Sequence, residues 1–154
     1  MMSIAIFTNA YSDELVTATE LNRQPGKVLD KACERPITIT RNDQSFALLR
    51  REDVAYLVKG VAQSKVVFEV LSVAFRLLLG QEIGYEHPYG WLRVFDADDL
   101  QDFIQEVSEA FRLTDTSNHA WDLIDAIIHE WRESSIAISS SELAAAFNDN
   151  KVKS

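Results

Sequence analysis

Apolar residues recur along this chain with two periods, and the switches between them mark its elements. Leu21, Pro25, Val28, Leu29 and Ala32 follow one another at offsets of 4, 7, 8 and 11 from the first, which is one face of a helix. Thr17-Ala18-Thr19-Glu20 stands just before them. Its threonine oxygen and glutamate can each satisfy a free amide at a helix start. The spacing predicts a helix over 18–34 with a kink or short break at Pro25-Gly26, where proline removes a backbone hydrogen bond. The period then drops to two. Ile37-Thr38-Ile39-Thr40 and Ser45-Phe46-Ala47-Leu48-Leu49 alternate as half-buried strands do. Arg41-Asn42-Asp43-Gln44 between them holds two residues that tolerate positive φ, so the pair reads as a hairpin. A helix begins near Glu52 and carries Val54, Leu57, Val58 and Val61, with Gly60 placed to hinge it onto a third helix. From Val66 to Leu79 the chain is apolar nearly all round, and such a helix must be covered on most sides. A subunit interface is the expected cover.

The stretch QEIGYEHPYG, residues 81–90, is rich in glycine and proline and reads as a linker. Trp91 to Phe95 follows as a strand or extended lead-in. Asp96 is placed to cap a helix over 97–112 with Leu100, Phe103, Ile104, Val107 and Phe111 on its apolar face. After a turn at 114–118, a helix over 119–137 repeats Trp121, Ile124, Ile128 and Trp131, widened by Leu123 and Ile127. Ser139-Ser140-Ser141-Glu142 offers a second capping box, for a short last helix through Phe147, and 148–154 is expected to fray. At the other end, Ile4-Ala5-Ile6-Phe7 reads as a short strand or an arm, and Asn9 to Asp13 as a turn. The pattern as a whole predicts an α+β chain in two parts, residues 1–80 and a mostly helical 81–154.

Composition changes this picture in one respect. The net charge of −9 is unevenly spread: residues 1–59 carry eight basic and eight acidic side chains, residues 60–154 seven basic and sixteen acidic. An acidic half suits a basic partner through complementary fields, and it equally keeps a small protein soluble. An apolar content of 47% excludes a disordered chain. The run from Val66 to Leu79 is broken by Glu69 and Arg76 and is shorter than the ~20 residues of a bilayer span. With no signal-like opening and Cys33 as the single cysteine, a cytoplasmic protein without a disulfide is expected.

Catalytic patterns are weak. His129-Glu130 opens like a zinc-protease motif, but position 133 is Glu133 where the second histidine belongs. His119 and His129 fall on different helix faces, and Cys33 has no histidine near it in sequence. Asp96, Asp98, Asp99 and Asp102 lack calcium-loop spacing and are ordinary for an acidic helix start. No glycine-rich phosphate loop is present. The expectation is a protein that is not an enzyme and needs no metal or cofactor.

The Thr17-Ala18-Thr19-Glu20-Leu21 helix start, Val28-Leu29-Asp30, Ile39-Thr40-Arg41 and Arg51-Glu52-Asp53-Val54, in this order and spacing, resemble the DNA-binding half of the Phd/YefM (prevent-host-death) antitoxin family. The likeness covers roughly residues 14–60. It implies a short first strand near Leu15-Val16, a homodimer or higher oligomer built through the N-terminal half, and operator binding that represses the chain's own operon. It also implies a cognate toxin, commonly basic, held by the C-terminal half without chemistry. By resemblance, one DNA-contacting arginine maps to Arg41, and the contact at the first helix falls on Asn22 or the adjacent Arg23. Lys27 and Lys31, four and eight residues beyond Arg23, join them as phosphate contacts, with Asn42 beside Arg41. The ordinary reading is a solvated basic face balanced by Glu20, Asp30 and Glu34.

For the toxin, the candidates are Trp121, Trp131, Leu143 and Phe147, as aromatic and aliphatic anchors of an amphipathic helix. Against them stands the commoner use of such a stripe as core, which is favoured for Ile124 and Ile128 and left open for the tryptophans. The other functional reading is an orphan dimeric regulator that kept the DNA-binding half and has no toxin partner. A third, a purely structural helical adaptor, makes the hairpin and its basic residues incidental.

Overall fold

A computed structural model describes residues 14–115 and 119–153; the strand or arm expected at 4–7 and the turn at 9–13 lie outside them. The fold is α+β, a small three-stranded sheet and mostly helix. In order, the elements are β1 (Leu15–Thr17), α1 (Ala18–Arg23), α2 (Pro25–Glu34), β2 (Ile37–Arg41), β3 (Gln44–Leu48), α3 (Arg51–Leu78), a 3-10 turn (Gly90–Val94), α4 (Ala97–Arg112), a second 3-10 turn (Leu113–Asp115) and α5 (Ala120–Val152). The chain packs as two compact units. Among the described residues, one holds 14–62 together with Thr114 and Asp115, and the other 63–113 with 119–153. The division therefore falls within α3 and not at the glycine-rich 81–90.

In the first unit β1 lies parallel to β2 and β3 antiparallel to it, in the order β1-β2-β3. A parallel pair needs a crossover, and α1 with α2 supplies it. Register sets Val16 beside Ile39 and Ile39 beside Phe46, with Ile37 beside Leu48. The face so formed is covered by α2: Val16, Val28, Ala32 and Ile37 are buried, and Leu21, Ile39 and Leu48 pack around them. The expected fault in the first helix is a full break. Gln24, at φ −135° and ψ 60°, leaves the helix, and Pro25 starts the next one at its first turn. A residue before proline is pushed out of the α region, whereas proline at the first helical position loses nothing. Leu29, expected on the inner face, is exposed, while Val28 and Ala32 of the same helix are buried.

α3 is anchored at its start. The Arg50 guanidinium donates to both carboxylate oxygens of Asp53, at 2.9 and 3.0 Å, and Asp53 is only 6% exposed. Asp53→Ala removes a charged, two-pronged hydrogen bond and is expected to cost about 1.5–3 kcal/mol. A chemical-denaturation midpoint unchanged by this substitution would show that the clamp contributes nothing.

The second unit buries Val67, Val70, Val73 and Ala74 of α3, Leu100, Phe103, Val107 and Ala110 of α4, and Trp121, Ile124 and Ile127 of α5. α3 passes through Gly60 without a hinge, because each added residue gains a backbone bond once a helix is nucleated. Phe68 and Phe75 stay exposed on α3, so its apolar surface is covered on one side only. The segment 81–90 is less a linker than a part of this unit. Ile83 is buried, and Arg93 donates to the carbonyls of Ile83 and Gly90 while its guanidinium sits 3.3 Å from the Tyr85 ring centroid. Residues 91–95, expected to be extended, form mainly a 3-10 turn. That conformation brings Trp91 against Phe103, edge to face at 6.0 Å. α4 has the predicted bounds, and Asp96 caps it by accepting from the Asp99 amide at 2.9 Å. α5 does not stop for the Ser139–Glu142 box or fray from 148; it runs unbroken to Val152. Ala144, Ala145 and Ala146 have the highest helix propensity, and a capping box acts only where the preceding chain has left the helix.

Candidate functional site

The hairpin tip and the start of α1 meet over a cleft of about 630 Å³ lined by Thr17, Ala18, Thr19, Leu21, Asn22, Thr40, Arg41 and Asn42. Local chemistry builds it. Thr17 ends β1 and caps α1, its hydroxyl accepting from the Glu20 amide at 3.1 Å. Asn42 takes φ 54°, a left-handed conformation that asparagine tolerates, and so turns β2 into β3 within two residues. Arg41 pairs with Gln44 across the neck of that turn, which puts its guanidinium at the tip. Three threonines, two carboxamides and one guanidinium thus line a single polar cleft. Such a set can donate hydrogen bonds to phosphate or base-edge acceptors.

Of the residues expected to contact DNA, Asn22, Arg41 and Asn42 are brought together here. Arg23 and Lys27 are exposed but do not line this cleft, and the break at Gln24 places them on two helices. Among the described residues no ion pair or hydrogen bond engages the side chains of Arg23, Lys27 or Arg41. Lys31 is different. Its ammonium pairs with Glu14, whose other carboxylate oxygen accepts from Arg35 at 2.9 Å. Lys31 therefore ties α2 to the strand entry and is no part of the cleft. Sequence reasoning missed Glu14 and the threonines Thr19 and Thr40. Thr40 is placed at the cleft by the register of β1 on β2, which sets Thr17 beside it.

The Glu14–Lys31 pair has a pH signature. Hydrogen bonding to Lys31 holds the Glu14 carboxyl below its ordinary 4.5, and the same bond raises the Lys31 ammonium above 10.5. The carboxylate's contribution is thus complete above pH 4.5 and is lost as pH falls through its lowered folded value; that of the ammonium is complete below pH 10.5 and is lost as pH rises through its raised folded value. Glu14→Gln is expected to lower the urea midpoint by the same amount throughout the neutral range. The difference from wild type closes as pH drops below the folded value. A gap that persists undiminished at pH 2 would assign the effect to something other than this charge.

Of the two tryptophans left open by sequence, one is core and the other lies at the edge of the core. Trp121 is 1% exposed and meets Phe111 edge to face at 5.9 Å. Trp131 is half-buried, packs at 5.1 Å on Phe95 and 5.5 Å on Phe103, and donates to Glu106 at 2.7 Å. Leu143 and Phe147 are 61% and 63% exposed on the last turns of α5, where every residue from Ser139 to Lys153 faces solvent. No family model, curated protein or solved structure matches this chain. Among the described residues no helix is long and apolar enough to cross a membrane.

Proposed function

We propose that this chain is an antitoxin of the Phd/YefM type: its N-terminal half pairs with a second copy and binds operator DNA, and its acidic helical half occludes a basic toxin. The observation that carries the reading is the guanidinium of Arg41 at a hairpin tip, engaged by no ion pair or hydrogen bond among the described residues and opening on the cleft it shares with Asn22 and Asn42. Two such tips in a symmetric dimer suit successive major-groove faces. Self-association is supported by the size of the first unit's core. Among the described residues its buried apolar cluster is Val16, Val28, Ala32 and Ile37, with Pro36 buried beside Ile37 in sequence, while Leu15, Phe46, Val54, Val58 and Val61 are exposed. So small a core gains much from a partner that covers the rest. Arg23 and Lys27 serve as flanking phosphate contacts. Toxin contact is assigned to Leu143 and Phe147, the candidate anchors that are free to touch another protein.

The test has two arms. The purified protein should shift a fragment of its own upstream DNA at low salt, where phosphate contacts are strongest, and should co-purify with the product of the adjacent gene. Leu143→Asp with Phe147→Asp should release that product and leave the DNA shift in place. A shift without any co-purifying neighbour would make the chain a dimeric regulator alone; no shift at 50 mM salt would end the repressor reading.

A further inference from the structure

The second unit carries a groove that the reading above does not use. α4 and α5 run antiparallel, as Glu106 touching Trp131 and Phe111 touching Trp121 require. Between them lies a groove of about 330 Å³, lined by Glu106, Glu109, Ala110 and Leu113 on one side and Leu123, Ala126, Ile127 and Glu130 on the other. Each set follows the offsets of one helical stripe, i, i+3, i+4 and i+7. Its floor is closed by Ala110 and Ile127, which are buried, and one end is apolar: Leu113 and Leu123 are 50% and 45% exposed. The opposite end is acidic, with Glu106 beside Glu130, and Glu109 sits on the rim. Glu106 and Glu109 accept neutral hydrogen bonds from Trp131 and Gln105, and among the described residues no cation pairs with any of the three carboxylates. The surrounding surface reinforces this sign: residues 97–113 and 119–138 hold nine carboxylates against Arg112 and Arg132.

We infer that this groove is a docking site for a cationic amphipathic helix of a partner protein, which seats an apolar side chain between Leu113 and Leu123 and sets Lys or Arg against Glu106, Glu109 and Glu130. Seven residues of helix span about 10 Å, so the apolar anchor and its cation stand one to two turns apart in the occupant. Apolar contact supplies affinity, and the uncompensated carboxylates select the charge and direction of the helix. The inference stands on the second unit by itself and holds whether or not the first unit binds DNA. It also differs from the assignment of Leu143 and Phe147, which lie beyond the groove on α5.

The probe is a 14-residue stapled helix with Leu at positions 4 and 8 and Lys at 1, 5, 11 and 12, fluorescently tagged, titrated into the full-length protein at 50 and 300 mM salt. A second probe replaces each Lys by Glu. The expected result is saturable binding of the first probe only. Leu123→Asp should weaken it at least ~10-fold, and Glu109→Gln with Glu130→Gln should weaken it and flatten its salt dependence. Leu143→Asp and Arg41→Ala should leave the titration unchanged, with circular dichroism confirming that every variant is folded. Equal binding by both probes, no loss with Leu123→Asp, or loss with Leu143→Asp would each overturn the groove. So would a change in sedimentation caused by Leu123→Asp without any probe, because a second copy would then be the occupant. Failure of the groove leaves the DNA shift untouched, and failure of the DNA shift leaves the titration untouched.

Discussion

Arg41→Ala is expected to abolish the proposed shift of upstream DNA while leaving the proposed dimer intact. One arginine contact to a base edge is worth about 1–3 kcal/mol. A dimer loses two of them, about 2–6 kcal/mol together, which is at least ~30-fold in affinity. The substitution is clean because Arg41 is exposed and, among the described residues, its side chain holds nothing else in place. Salt dependence then separates the kinds of contact. If the guanidinium sits on phosphate, the slope of log K against log salt falls by about two per dimer. If it reads guanine, the loss is concentrated on one operator sequence. Lys31→Ala is the internal control: it should lower stability through Glu14 and leave DNA affinity nearly unchanged in the folded fraction. Wild-type affinity in Arg41→Ala would remove the cleft from any DNA-binding role.

Trp121→Ala carries the largest expected effect on stability, about 3–5 kcal/mol, the usual cost of truncating a buried aromatic. The indole is among the largest fully buried side chains of the second unit, and its contact with Phe111 is lost as well. Trp121→Phe should behave quite differently. The indole Nε1 is buried without a hydrogen-bond partner among the described residues, and leaving such a donor unmade costs about 1–3 kcal/mol. Phenylalanine removes that penalty while opening a smaller cavity than alanine does, so the net loss should stay within about 2 kcal/mol. Urea denaturation followed by far-ultraviolet circular dichroism reads both. A Trp121→Ala chain as stable as wild type would mean the side chain is not core, and would return it to the surface available to a partner.

These two expectations also show how far the chain could be read before its structure. The caps at Thr17 and Asp96, the hairpin between Thr40 and Ser45 and the bounds of α4 were legible because each depends on atoms within a few residues. The alternation of Ile37 to Thr40 announced a strand for the same reason. The cleft was half legible. Arg41 and Asn22 were named by resemblance, but their convergence came from the parallel register of β1 on β2, which no local pattern states.

What the amino-acid order determined by itself was therefore the kind and place of most elements, since hydrogen-bonded turns and amphipathic periods are short-range properties. The tertiary structure alone decided the fates of particular side chains: Lys31 bound to a carboxylate 17 residues away, Trp131 to one 25 residues away, and Trp121 closed into a core. It decided too that α3 and α5 run on through Gly60 and Ser139. An apolar stripe declares that something must cover it. Which segment does so depends on distant parts of the chain, whose approach follows from packing and not from neighbouring residues.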